Sequence, residues 1–387
     1  WITLREALDR IEATLSTIER LERHRGHLYN WYATDTLQPL GTRYVSAVDS
    51  GNLAGHLITL SSTLKEWTRN PALYHLPELS GAVDILSLMR RLHAAIPRER
   101  RSLNPLRDRI EERIAGLWHS MASAQAPHLA PLHVQSYARA AANLQVLIQG
   151  LVTEIPTAAA RELDWWTSRL VSTCDEMENL GRIDPDEVAL SARRMAALAE
   201  RARAFAFEMD FAFLLDPERQ LLAIGYNCVE GAPDQSFYDL LASEARLASL
   251  FAIAKGDLPT EHWNRLGRPM TVMPYGSTLV SWSGSMFEYL MAPLVMDEPP
   301  GSILHSSCDV AVEAQIRDGW RAGRPWGVSE SAYNARDAQM NYQYYAFGVP
   351  ELALRRWLRD DQVVAPYASF IAAGFRPRSA LKNLHRL

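Results

Sequence analysis

Apolar residues recur every three to four positions along most of this chain, a spacing that predicts helix after helix. From Ile2 the pattern runs through Leu4, Leu8, Ile11, Leu15, Ile18 and Leu21, one face of a first helix that ends near Arg25-Gly26. A second helix runs through Trp67, with Asp49 or Ser50 as its cap. Five more follow over about 82–96, 106–124, 132–152, 158–180 and 186–209, punctuated by Pro97, Pro105, Pro127, Pro131, Pro156 and Pro185. Asp184-Pro185-Asp186-Glu187 is a start signal, because proline suits a first turn and acids face the positive helix end. Charges of this half, such as Arg91, Arg101 and Glu111, read as solvated helix faces and are assigned no chemistry.

After residue 210 the texture changes. Two apolar runs, 211–215 and 220–225, flank Asp216-Pro217-Glu218-Arg219 and predict one β-hairpin. Glycine, tryptophan and tyrosine then become denser. Residues 236–255 predict a helix with a strong apolar face; further helices carry Glu288 in a first turn, span 302–320, and start at 345–350 and 364–367. The tail 376–387 holds Arg376, Arg378, Lys382 and Arg386 without an acid and reads as a linker or edge helix. The expected organisation is one domain over 1–387, with a helical half at 1–210 and a catalytic half at 211–375. Within the helical half the long polar-aromatic loop 26–56 is expected to form one wall of a cleft, since loops of that length tend to be functional; the alternative is a structural loop.

Composition narrows the partners. With 387 residues, 48% of them apolar and 22% charged, and a net charge of −5, the chain has the make-up of a globular protein without a polybasic surface, so nucleic acid is not an expected partner. Cys174, Cys228 and Cys308 lie far apart, so neither a disulfide framework nor a zinc site is indicated, and no metal or cofactor is expected. A reducing compartment fits. The uncharged run 269–287 has the length to span a bilayer, but its two prolines and two glycines argue against a continuous apolar helix. A chain that opens on Trp1 reads as part of a longer protein.

The densest chemistry lies between Trp326 and Tyr345, where Glu330, Tyr333, Asn334, the Arg336-Asp337 pair, Tyr342 and Tyr344 fall within twenty residues. Aromatic faces for sugar rings, amide and guanidinium donors for hydroxyls, and a carboxylate able to act at an anomeric carbon are what a carbohydrate site needs. The alternative is a Trp/Tyr-rich core loop. Glu244 stands among Leu240, Leu241, Ala245, Leu247 and Ala248, neighbours that favour the neutral form a general acid needs; the alternatives are a salt bridge to Arg246 or a solvent-facing side chain. Glu288, flanked by Trp282 and Tyr289, is either a helix-dipole residue or a ligand for sugar hydroxyls.

Five collinear motifs carry a family resemblance: 21–32 with Trp31 and Tyr32, 44–57 with Asp49 and Asn52, 238–249 with Asp239, Glu244 and Arg246, 281–291 with Trp282, Glu288 and Tyr289, and 327–337 with Glu330. Together they resemble the central domain of bacterial cyclic β-1,2-glucan synthases, classed in glycoside hydrolase family 189 and related to helical-toroid endo-β-1,2-glucanases. The resemblance covers nearly the whole chain and is least diagnostic in the helical middle. It implies an all-α fold, an (α/α)6 toroid with a small β-hairpin and long loops forming the cleft. It also implies a parent synthase in which a membrane-embedded glycosyltransferase domain elongates linear β-1,2-glucan and a phosphorylase-like domain trims it. The central domain then closes the ring by transglycosylation with retention, on the cytoplasmic side of the bacterial inner membrane. By the same resemblance Glu244 corresponds to the acid/base and Glu330 to the nucleophile.

In a retaining reaction one carboxylate attacks the anomeric carbon while the other protonates the leaving oxygen. Beside Arg336 and Asn334, Glu330 is expected to stay ionised, and Glu244 to be the more easily protonated. Ring closure requires the glycosyl-enzyme to meet a 2-hydroxyl before water. That predicts an aromatic groove drawn from Trp31, Tyr32, Trp282, Tyr289, Tyr333, Tyr342 and Tyr344. Asp49, Asn52, Asp239, Arg246, Glu288, Asn334, Arg336 and Asp337 complete the candidate substrate-binding set. Two alternatives remain at this point: an endo-β-1,2-glucanase that hydrolyses the same linkage, and a non-catalytic glucan-binding module.

Overall fold

A computed structural model describes residues 2–71, 79–97, 100–124, 130–180, 185–338, 340, 342–356 and 362–387. Asp184, Pro127 and Asn341 lie outside the described residues. Helix makes up 59% of the structure and the strands are short, so the chain falls in the all-α class. The chain divides into two compact units, one of residues 1–16 and 62–199, the other of 17–61 and 200–387. The division falls inside three helices, α1 (Leu4–Arg20), α2 (Ala47–Arg69) and α7 (Pro185–Glu208).

The first unit is built on α3 (Ser80–Ala95), α4 (Asn104–Ser123), α5 (Ala130–Glu154) and α6 (Ala158–Leu180). Each falls within two residues of its expected span, because a 3.6-residue apolar period over four or more turns leaves little choice of element. Their apolar stripes meet in one core that includes Ile85, Met89, Ile110, Ile114, Leu144, Ile148 and Leu163. Burying each of these side chains contributes roughly 1.5–3 kcal/mol. Pro105 sits in the first turn of α4, where its missing N–H costs nothing.

The second unit contains the aromatic part of the chain. The first helix stops at Arg20, and Arg25 and Gly26, both at positive φ, form the turn of a hairpin between β1 (Arg23–His24) and β2 (His27–Leu28). The expected helix to Arg25-Gly26 therefore ends one turn early. β3 (Tyr44–Ser46) runs into α2, and Ser46 Oγ accepts from the Asp49 N–H at 3.2 Å, so the cap is Ser46 and not Asp49 or Ser50. The expected hairpin after residue 210 shrinks to β4 (Leu215–Asp216) and β5 (Leu221–Leu222), preceded by a 3-10 turn at Ala212–Leu214. β6 (Gly225–Asn227) lies between β3 and β7 (Ala232–Pro233) in a three-stranded antiparallel sheet.

Several elements differ from expectation in kind. The helix expected over 236–255 is only α8 (Arg246–Lys255), and residues 236–245 are loop and turn. After α9 (Glu261–Arg265), the uncharged run 269–287 holds a hairpin of β8 (Met270–Met273) and β9 (Gly276–Leu279) and then enters α10 (Met286–Leu290). α11 (Ile303–Arg321) is capped by Ser302, whose Oγ accepts from the His305 N–H at 3.1 Å. The stretch rich in candidate chemistry is a hairpin of β10 (Ser331–Arg336) and β11 (Tyr342–Tyr345), irregular between Tyr333 and Arg336. The helix expected from 345–350 is a single 3-10 turn at Pro350–Leu352. α12 (Pro366–Ala372) and α13 (Pro377–Leu384) close the chain. α10, α11, α12 and α13 share a core that includes Met286, Tyr289, Val312, Trp326, Ala368 and Ala380.

Candidate active site

Glu244 lies in the turn before α8, not on a helix, and is 5% exposed. The alternatives of a salt bridge to Arg246 and of a solvent-facing side chain both fall away, because Arg246 bonds Glu298 instead. Asn52 on α2 donates from Nδ2 to Glu244 Oε1 at 3.1 Å, and the Ser243 hydroxyl donates to Oε2. The approach of α2 to α8 that permits this depends on Gly51: a Cβ there would lie 2.4 Å from the Ala248 Cβ. Burial raises the Glu244 carboxyl above its usual range, and the Asp49 charge raises it further against the two hydrogen bonds. Asn52 Oδ1 is itself buried and, among the described residues, accepts from nothing.

Glu330 sits just before β10 and is half-buried. The Tyr344 hydroxyl donates to its Oε2. Burial, helped by the charges of Glu244 and Asp49 and opposed by the Tyr344 bond, pushes this carboxyl up to about 7. Arg336, expected to keep Glu330 ionised, instead lies 4.4 Å over the Tyr342 ring and donates to the Tyr342 hydroxyl. Glu330, expected to stay ionised, is instead an elevated carboxyl that feels the charge of Glu244, itself elevated.

These groups belong to one electrostatic cluster. Tyr238 is pushed up by burial and then by the charges of Glu244, Asp49 and Glu330 together. Tyr367, pushed up to about 12 by burial, also feels Glu330 and Glu244, as does Tyr344. Residues as distant in sequence as Asp49, Glu244 and Glu330 therefore all act on the Tyr238 hydroxyl.

Three expected sugar ligands belong to the core. Arg246 is 1% exposed, pairs with Glu298 at 2.9 Å, and donates to the Glu288 and Tyr289 carbonyls at 3.2 and 2.7 Å. Tyr289 is wholly buried, its hydroxyl donating to the Leu279 carbonyl at 2.8 Å. Glu288 is 2% exposed, and its carboxylate accepts from the Ser281 hydroxyl and the Ser283 and Ser285 N–H groups in a capping box at α10. Side chains this buried and this satisfied have no surface to offer a polysaccharide.

The other candidates keep exposed or half-exposed faces. Trp31 is 72% exposed, whereas the Tyr32 hydroxyl donates to the Glu22 carbonyl and accepts from the Tyr29 N–H, both at 2.7 Å, so its polar end belongs to the loop. Trp282 is exposed and donates its backbone N–H to the Ala242 carbonyl at 2.9 Å, two residues from Glu244. Asp239 is half-buried against Gly267, where a Cβ would approach within 2.1 Å of its Oδ1. On the hairpin, Tyr342, Tyr344 and Asn334 are exposed, Asp337 is half-buried, and the Tyr333 ring packs edge-on to Phe347 at 5.5 Å.

With this geometry established, residues 236–387 match the family model Glycoamylase, described as "Putative glucoamylase". The whole chain is 47% identical over 388 residues to the cyclic beta-(1,2)-glucan synthase NdvB of Rhizobium meliloti (strain 1021). The chain is homologous to one segment of a cyclic β-(1,2)-glucan synthase. It spans 14% of that relative's length.

Sequence reasoning missed Tyr238, Ser243 and Tyr367 as parts of the cluster, although Tyr238 and Ser243 stand beside Glu244 in its motif. Their signal was proximity to a candidate carboxylate. The tail, read as a linker or edge helix, forms α13, and its Asn383 bonds both backbone groups of Trp326.

Proposed function

We propose that this chain is an anomer-retaining β-1,2-glucan transglycosylase that cleaves linear β-1,2-glucan and joins it to itself as a ring. The observation that carries this reading is that two carboxyl groups, Glu244 held by Asn52 and Ser243 and Glu330 held by Tyr344, lie close enough to act on the same Tyr238 hydroxyl. Because the Glu244 charge raises Glu330, the pair resists double ionisation and holds one proton over a window of pH; the retaining reaction needs that proton on Glu244. Homology to a cyclic β-(1,2)-glucan synthase supports β-1,2-glucan as the substrate.

In this reading Glu330 is the nucleophile and Glu244 the acid/base. The Glu330 carboxylate forms a bond to the anomeric carbon as the glycosidic bond breaks and Glu244 passes its proton to the leaving oxygen. The 2-hydroxyl at the far end of the same chain then attacks that carbon. Its proton returns to Glu244 and Glu330 leaves as a carboxylate. Exposed Trp31, Trp282, Tyr342 and Tyr344 offer apolar faces to sugar rings and hold the acceptor in place of water. The helical composition supports an (α/α)6 toroid as the frame.

The share of the relative that the chain spans supports further domains in a parent synthase; in this reading they include a glycosyltransferase and a phosphorylase-like domain, and the chain works on the cytoplasmic side of an inner membrane. Among the described residues no helix is long and apolar enough to cross a membrane. Glu244→Gln and Glu330→Gln each abolish turnover of linear β-1,2-glucan and leave its binding intact. Full activity in both variants refutes the assignment.

A further inference from the structure

The segment that carries Glu330 has little sheet of its own. Trp326, Val328 and Ser329 are buried, and among the described residues the only bridge is between Val328 and Val364. Buried backbone N–H and C=O groups need partners. Two side-chain amides supply most of them, alongside the Met286 N–H, which donates to the Val328 carbonyl at 3.2 Å.

Gln315, on α11 and 1% exposed, accepts from the Val328 N–H at Oε1 and donates from Nε2 to the Val328 carbonyl, both at 2.8 Å. Asn383, on α13 and 4% exposed, accepts from the Trp326 N–H at 3.1 Å and donates to the Trp326 carbonyl at 2.8 Å. It also donates to Ser369 Oγ at 2.8 Å. Each amide pairs both polar groups of one residue, as a neighbouring strand would. The opposed N–H and C=O of the backbone also fix which end of each amide is nitrogen. Between them Gly327 takes φ +110°, a conformation side chains rarely adopt, and its carbonyl accepts from the Ala365 N–H at 2.9 Å.

The pinning continues to Glu330 itself. Ser329 Oγ accepts from the Phe287 N–H at 3.0 Å and lies 2.8 Å from the Tyr367 hydroxyl, which donates to the Glu330 carbonyl at 2.8 Å. Only the proton order in which Ser329 donates to Tyr367 satisfies every link.

We infer that Gln315 and Asn383 are positioning residues for the Glu330 carboxylate, acting through the backbone of 326–328. The inference rests on Glu330 being the nucleophile. Neither amide touches the reacting atoms, and apolar side chains of the same volume would fill their sites. What such side chains lack is a hold on both the depth and the register of the strand.

The test compares wild type with Gln315→Met, Asn383→Leu and, as a control, Ile114→Ala, a truncation in the core of the first unit. Turnover of linear β-1,2-glucan is measured well below each melting temperature, and the Glu330 carboxyl is titrated by carbon NMR, assigned by its loss in Glu330→Gln. Each amide variant loses kcat on the order of ten- to a hundredfold, the effect of a displacement near 1 Å at a reacting group, with KM within about threefold. The Glu330 titration moves down as the carboxyl gains water. Ile114→Ala keeps wild-type kcat and titration despite lower stability. The inference is overturned if the amide variants behave as Ile114→Ala does. Should the apolar variants not fold, Gln315→Glu and Asn383→Asp, which keep the acceptor and lose the donor, are read by the same two outcomes. A wild type inert towards the glucan sinks the functional reading, while the titration still decides the positioning.

Discussion

Tyr344 donates its hydroxyl to Oε2 of Glu330 from the opposite strand of the β10–β11 hairpin. Tyr344 pairs with Ala332 in the register, so the hairpin itself delivers the phenol to the carboxylate. This bond favours the ionised form and works against the burial that raises Glu330 to about 7. In Tyr344→Phe the carboxyl rises further, and the acid limb of kcat/KM moves up by about one pH unit, the worth of a hydrogen bond to a charged group. A pH–rate profile checks it. An unmoved limb means either that Glu330 is not the group ionising in that limb or that the bond is not made in solution.

Asn52 links α2 to Glu244 and leaves Oδ1 without a partner among the described residues. Asn52→Leu removes a donor to the charged form, so the Glu244 carboxyl rises and the alkaline limb moves to higher pH. It also removes an acceptor for a sugar hydroxyl, raising KM by about three- to tenfold, the equivalent of roughly 1 kcal/mol. Steady-state kinetics across pH report both. If limb and KM match wild type, Asn52 serves the fold alone.

The long helices of the first unit were legible because one period repeats over many turns, as in the Leu8–Leu15 face of α1 and the Ile110–Ile114–Leu117 face of α4. The second unit was harder to read. Its order comes from buried side chains that serve as backbone partners, and Gln315, Asn383 and Glu288 look like surface residues in a sequence. Glu330 and Glu244 were visible as carboxylates in aromatic and apolar settings. The state of Glu330 was not, because Arg336 is near it in sequence but stacks on Tyr342. Arg246, beside Glu244, likewise turned inward to Glu298.

Glu288 is a buried carboxyl pushed up to about 7 from 4.5. Between those two values the folded state binds more protons than the unfolded, so its contribution to stability is greatest at low pH and is lost as pH rises through that window. Glu288→Gln keeps an oxygen acceptor for the capping box and removes the titration. Its melting temperature therefore declines less than that of wild type between about pH 5 and 7. Glu330 contributes in the same sense, so some slope remains. Thermal unfolding at a series of pH values reads the difference; identical slopes contradict the assignment.

The central claim is that a carboxylate pair, Glu330 and Glu244, transfers a β-1,2-glucan chain onto itself. Mass analysis of linear β-1,2-glucan incubated with the protein tests it most directly. The account predicts products one water lighter than linear chains of the same length, absent with Glu330→Gln and with Glu244→Gln. Exclusively linear, water-terminated fragments would contradict it and make the protein a hydrolase.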